Sequence, residues 1–251
     1  MIRQRLGKDL LFFDGGMGTL LQEKGLAPGE LPETWNLTHS EEIYKIHRQY
    51  IEAGSDIILT NTFGANALKF HDDSCSLEEI IKAAVSHVKK AEREALLQTG
   101  DERKIYTALD VGPTGKLLKP MGDLEFETAY EAFKEVVILG EQAGADLIHI
   151  ETMSDTYELK AAVLAAKENT SLPVFATVIF DERKKLLTGA DVSSVVALLE
   201  GLGVDALGIN CAMGPKEMLP VLEELIKYSS VPIIVKPNAG LPKQRDGKTY
   251  Y

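Results

Sequence analysis

Short apolar runs rich in β-branched residues alternate along this chain with longer stretches in which apolar positions recur every third or fourth residue. The short runs fall at 10–14, 56–62, 105–111, 146–152, 173–180, 205–211 and 232–238. They are apolar nearly throughout instead of strictly alternating, the pattern of parallel strands covered on both faces. Between them the helical spacing i, i+3, i+4, i+7 appears at Ile81, Ala84, Val85 and Val88, then at Ala129, Ala132, Phe133 and Val136. It returns at Leu159, Ala162, Val163 and Ala166, at Val195, Leu198, Leu199 and Leu202, and at Met218, Val221, Leu222 and Leu225, with Ile43, Ile46 and Tyr50 a shorter match. Each such helix has one buried stripe. Ser76 with Glu79 predicts a capping box, and Pro215 after Gly214 suits a first helical position.

Repeated strand–helix units with right-handed crossovers permit an open doubly wound sheet or a closed barrel. Polar residues end almost every run: Asp14, Asn61 and Thr62, Asp110, Glu151, Asp181, Asn210 and Cys211, Asn238. A barrel gathers all its strand ends around one mouth, whereas an open sheet uses mainly one switch point, so the pattern favours a (β/α)8 TIM barrel. Strands also end where polar loops begin, so no single position carries this argument. No linker or low-complexity tract divides the chain, and residues 1–251 read as one barrel domain. Such a barrel has eight strands, and the runs supply seven, so the expected fold is a TIM barrel truncated after about seven strands, with 243–251 reading as a loop.

Charge narrows the partners. The chain of 251 residues carries 27 Lys+Arg against 38 Asp+Glu, a formal net charge of −11. Binding nucleic acid or an anionic membrane surface needs clustered cations, so neither partner is expected. No apolar run reaches the ~18 residues a membrane span needs, and the start lacks a signal-peptide pattern, so a cytoplasmic location is expected. Two cysteines, Cys75 and Cys211, are too few for a disulfide framework.

Three places suggest chemistry. Asp14-Gly15-Gly16-Met17-Gly18-Thr19 follows the first run directly. Its glycines let backbone N–H groups approach a carboxylate or phosphate, although the spacing is that of neither a dinucleotide loop nor a P-loop, and an ordinary tight turn would also use them. Glu151 ends the fourth run, where a carboxylate at a barrel mouth demands a cationic partner such as an amine; interaction with the helix starting near Asp155 is the other reading. Cys211 places a sulfur at the mouth, as a zinc ligand, a nucleophile or a small core residue. None of His39, His47, His71, His87 and His149 ends a strand beside it, which disfavours cysteine–histidine catalysis, and one cysteine cannot build a usual zinc site.

Taken together, these segments, with Leu59-Thr60-Asn61-Thr62-Phe63-Gly64-Ala65-Asn66, Asp110-Val111-Gly112-Pro113-Thr114-Gly115, Glu151-Thr152 and Gly208-Ile209-Asn210-Cys211, resemble the homocysteine S-methyltransferase family, essentially end to end. The likeness is strongest to the homocysteine-binding module of cobalamin-dependent methionine synthases. It implies a TIM barrel whose zinc is held by three cysteines and by the homocysteine sulfur, with Cys211 matching the first ligand. The other two form a Gly-Gly-Cys-Cys segment that this sequence does not contain. The resemblance further implies that Asp14 and Glu151 face the homocysteine ammonium and that Gly15 and Gly16 suit its carboxylate. Asn61, Thr62, Asn210 and Asn238 fall at matching strand ends as pocket residues. The activity so implied is activation of the homocysteine thiol on zinc for methyl transfer giving methionine. The donor would be methylcobalamin, with folate- and cobalamin-binding modules as partners in a larger polypeptide. A stand-alone enzyme using betaine or S-methylmethionine, and a barrel that only binds an amino acid, are the alternatives. For the 251-residue chain alone, weak zinc binding and little turnover are expected.

Overall fold

The computed structural model describes the chain apart from residues 1, 71–73, 101–102, 212, 241–242, 246–247 and 251, and describes the backbone alone at 99, 243–245 and 248–250. Six strands pair in sequence order, all parallel: β1 Ile57–Leu59, β2 Tyr106–Val111, β3 Leu147–Met153, β4 Val174–Val178, β5 Ala206–Asn210 and β6 Ile233–Lys236. Every consecutive pair is separated by at least one helix, which is what parallel neighbours require. The helices are α1 Gly18–Glu23, α2 Trp35–Thr38, α3 Ser40–Glu52, α4 Leu77–Thr99, α5 Phe126–Ala143, α6 Thr156–Asn169, α7 Val192–Gly201 and α8 Pro215–Tyr228.

The helix starts are written in the sequence. Ser76 Oγ accepts the Glu79 N–H while the Glu79 carboxylate accepts the Ser76 N–H, closing the capping box of α4. Asp155 and Asp191 cap α6 and α7 by accepting the N–H of Tyr157 and Ser194, and Pro215 opens α8. Their apolar stripes pack outside the sheet around Phe133, Val163 and Leu199. Helix α5 lies close on β2 because Gly140 has no side chain: a Cβ there would sit 2.2 Å from Leu109.

A second cluster fills the inside. Phe13, Leu59, Tyr106, Leu147, Phe175 and Ile234, from successive strands of the sheet and the segment before it, meet Ile2 from the N-terminal 3-10 turn. Side chains from both ends of the strand order thus share one interior, which makes the sheet a curled TIM-barrel wall and not a flat one. It does not close among the described residues, since β6 is the last strand of the order.

Two differences from the expected elements have local causes. The run at 10–14 lies parallel beside β1, with Asp14 N–H donating to the Ile57 carbonyl at 2.9 Å, but it forms a single bridge, Phe13 with Ile57, and no continuous strand. The Asp56 carboxylate accepts the Phe12 N–H, and Gly15 and Gly16 follow at once. The loop expected at 243–251 contains instead a short antiparallel ribbon, β7 Lys243–Arg245 with β8 Lys248–Tyr250, joined in sequence by Asp-Gly, a dipeptide that favours hairpins.

At the amino ends of the strands one device recurs. Asp56, Asp146 and Asp205 each stand just before a strand and accept the N–H of Phe12, Thr107 and Val174 on the preceding neighbour. Arg5, Lys89 and Arg3 respectively pair with them.

Candidate functional site

A cavity of about 750 Å³ runs from Leu6, Ile57, Ala206 and Pro232 at the amino ends of the strands to their carboxyl ends, where Asp14, Gly15, Gly16, Asn61, Glu151, Asn210, Cys211 and Asn238 line it. Eight of the nine residues singled out from the sequence therefore gather at one place. Thr62 is the exception: its hydroxyl donates to the Asp110 carbonyl at 2.8 Å and pairs with Thr60, so it braces the wall between the ends of β1 and β2. Asn61 lines the cavity but also donates to the Pro32 carbonyl and receives Asn36 on its own carbonyl, tying the 32–36 segment to β1. A Cβ on Gly15 would lie 2.7 Å from the Tyr50 hydroxyl, which donates to the Gly16 carbonyl, so a larger residue there requires the Tyr50 side chain to move.

Two acids and an ion pair make the floor polar. Asp14 is buried; one carboxyl oxygen accepts the Leu59 N–H at 3.0 Å, and the other has no hydrogen-bond partner among the described residues. Asp110, also buried and lining the cavity, likewise has one oxygen without a partner. Glu151 accepts from Lys236 Nζ at 2.6 Å, and His149 Nε2 lies 3.2 Å from the same oxygen. Lys236 also stands over the Phe13 ring, 5.1 Å from its centre.

Burial and this charge balance set the protonation states. Burial pushes the Asp14 carboxyl up to about 7, despite the pull of Lys236. Burial, and then Glu151, hold Asp110 well above the ordinary carboxylate range. For Glu151 burial works the same way, but His149 and Lys236 outweigh it and hold the group down at about 2. Lys236 is buried at a cost to its charge, yet Glu151, Asp14 and Asp110 together raise its pKa. At neutral pH the floor holds one carboxylate–ammonium pair, one carboxyl close to half-ionised and a second carboxyl whose ionisation burial disfavours.

Cys211 faces the same cavity and is half-buried, not packed among aliphatic side chains. It adopts φ +54°, and Thr152 at the end of β3 adopts φ +63°, both in the left-handed region that only glycine enters freely. The Asn210 amide holds them: it accepts the Thr152 N–H at 3.0 Å, donates to the Thr152 hydroxyl at 2.8 Å and donates to the Cys211 sulfur at 3.5 Å. Cys211 N–H donates to the Lys236 carbonyl at 3.0 Å. Burial, then the Glu151 charge, raises the thiol pKa, so this sulfur is a neutral thiol at pH 7.

A zinc ion of the kind the family resemblance implies does not fit the residues described. No group of three His, Cys, Asp or Glu side chains stands close enough to hold a metal, and Cys75, the other thiol, packs against the outer apolar cluster.

Sequence reasoning passed over Lys236 and left Asp110 without a role. The available signal was a lone lysine closing the apolar run 232–236, where burial demands an anion from elsewhere in the fold. His149, dismissed as internal to its strand, touches Glu151 two residues on, on the same face.

The fold is that of a TIM-barrel wall with a polar-lined cavity reaching the carboxyl ends of its strands. The homocysteine S-methyltransferase family profile matches residues 11–251, and the chain belongs to that family. It is 34% identical over 250 residues to the methionine synthase of Mycobacterium leprae (strain TN), across 95% of this chain and 21% of that protein. The methionine synthase of Mycobacterium tuberculosis (strain ATCC 25618 / H37Rv) is 34% identical over 248 residues, again 21% of its length. The chain thus spans about a fifth of these relatives. Among solved structures, the metallated form of the homocysteine methyltransferase MmuM from Escherichia coli superposes with TM-score 0.83 at 25% identity, over 93% of this chain and 85% of that one. The apo form gives 0.79 at 26% identity, over 93% and 84%. No helix among the described residues is long and apolar enough to cross a membrane.

Proposed function

We propose that this chain is a homocysteine-binding methyltransferase module, in which the amino-acid head sits against Asp14 and Asp110, Glu151 beside them being already paired with Lys236, and the thiol lies toward Cys211. The observation that carries the reading is the pair of buried carboxyl oxygens without partners, on residues lining the cavity that Cys211 also lines. An unpaired buried acceptor costs free energy, and an ammonium group relieves it while drawing the proton off Asp14. Glycines 15 and 16, exposed at the rim, suit the ligand carboxylate.

The product of the proposed reaction is methionine, with methylcobalamin as donor and the folate- and cobalamin-binding modules of a methionine synthase as the working context. The 34% identity to two methionine synthases supports this donor over betaine or S-methylmethionine. The single-sulfur donor set among the described residues supports weak zinc binding by this chain alone; stoichiometric zinc that survives a chelator would contradict it.

Calorimetric titration tests the binding reading. Homocysteine should bind, homoserine more weakly for want of a thiol, and 4-mercaptobutyrate, which lacks the ammonium, hardly at all. Equal affinity for homocysteine and 4-mercaptobutyrate would remove the assignment of the acids.

A further inference from the structure

Lys236 sits in surroundings that recognise a free ammonium ion. Its Nζ has the Glu151 carboxylate at 2.6 Å and the Phe13 ring face at 5.1 Å. The Asp14 and Asp110 carboxyl groups act on it electrostatically. Carboxylates and an aromatic face are what proteins offer amine ligands. The side chain is only 17% exposed, so this arrangement is built in and is not a surface pair. His149 is kept neutral by burial, so Lys236 is the cation that faces the three acids among the described residues.

We propose that Lys236 is a specificity-determining residue, a tethered ammonium that occupies the cation position at Glu151 and competes there with the ammonium of an incoming ligand. The competition has two parts. Lys236 uses the Glu151 oxygen that a ligand would use, and its charge repels a second ammonium placed against Asp14 and Asp110. Ligands are therefore admitted only when other contacts, from a carboxylate or a thiol, offset that repulsion, and simple amines are turned away. The inference rests on the amino-acid reading of the cavity for the identity of the natural ligand, and on the geometry alone for the exclusion of amines.

Homocysteine and cysteamine, a primary amine with a thiol and no carboxylate, are titrated against the parent chain and the variants Lys236→Met, Lys236→Gln and Lys236→Arg. Removing the charge should tighten cysteamine binding about tenfold or more, the factor given by about 1.4 kcal/mol of relieved competition, with homocysteine gaining less. Lys236→Arg should keep the parent's discrimination. Lys236→Gln retains a donor for Glu151, so it carries the test if Lys236→Met does not fold. Unchanged or weaker cysteamine binding in both neutral variants overturns the inference, as does a loss confined to homocysteine, which would make Lys236 a carboxylate ligand. If cysteamine tightens while homocysteine binds to no variant, the competitor role stands and the homocysteine reading falls.

Discussion

Aspartates at the two ends of the sheet behave in opposite ways. At the amino ends, Asp146 and Asp205 each accept a backbone N–H and a cation; burial alone would raise them, but Lys89 and Arg3 with those N–H donors bring both below the ordinary range. At the carboxyl ends, Asp14 and Asp110 are raised, and each keeps an oxygen without a partner. Residue type is the same, but Asp146 and Asp205 are only partly buried whereas Asp14 and Asp110 are buried; the two pairs differ in depth and in whether the fold itself supplies the complement. Satisfied acids fasten neighbouring strands together, and unsatisfied ones wait for something the chain does not provide.

That contrast can be broken by substitution. The largest loss is expected from Glu151→Ala, which takes from Lys236 its hydrogen-bonded carboxylate and leaves Asp14 and Asp110 as its remaining acidic neighbours: about 3 kcal/mol of stability should be lost, read as a drop in urea midpoint at pH 7. The Glu151 contribution belongs to the ionised form. It should be complete above the unfolded carboxyl pKa of about 4.3 and fade in the parent as pH falls toward about 2. Asp14→Asn should act in the other direction. The unfolded carboxyl ionises near 3.9 and the folded one near about 7, so native Asp14 loses stability progressively across that window. The asparagine variant should be more stable than the parent by up to about 4 kcal/mol at pH 8 and gain nothing at pH 3.5, while losing affinity for homocysteine. A variant no more stable at pH 8 than at pH 3.5 would show Asp14 to be satisfied after all.

At the amino end, Asp146→Ala should cost about 1–2 kcal/mol by freeing the Thr107 N–H, at every pH above 5 and without any change in ligand affinity. Smallest of all, Arg5→Ala should cost about 0.5 kcal/mol or less, because its pairs with Asp9 and Asp56 are partly solvated. An effect on binding from either would mean that the two ends are coupled.

The alternation of runs and stripes made the six parallel strands and their covering helices legible, because that period is imposed by burial. The gathering of Asp14, Glu151 and Cys211 was also legible, since barrel topology sends every strand's carboxyl end to one mouth. Lys236 was not, for its role depends on Glu151 and Phe13, which lie far away in sequence and meet it only across the curled interior. Thr62 misled for the reverse reason: its strand-end position was right, but a hydroxyl that short is taken by the nearest carbonyl, here that of Asp110. The left-handed backbone at Thr152 and Cys211 carries no signature in residue type, as neither is glycine or asparagine.

The Asn210 amide that joins those two turns means that the direction of the sulfur is decided jointly by two segments 58 positions apart. Anyone who grafts a new loop after β3 to alter what this barrel accepts will, in the same stroke, re-aim its thiol, so the two are best redesigned as a single unit.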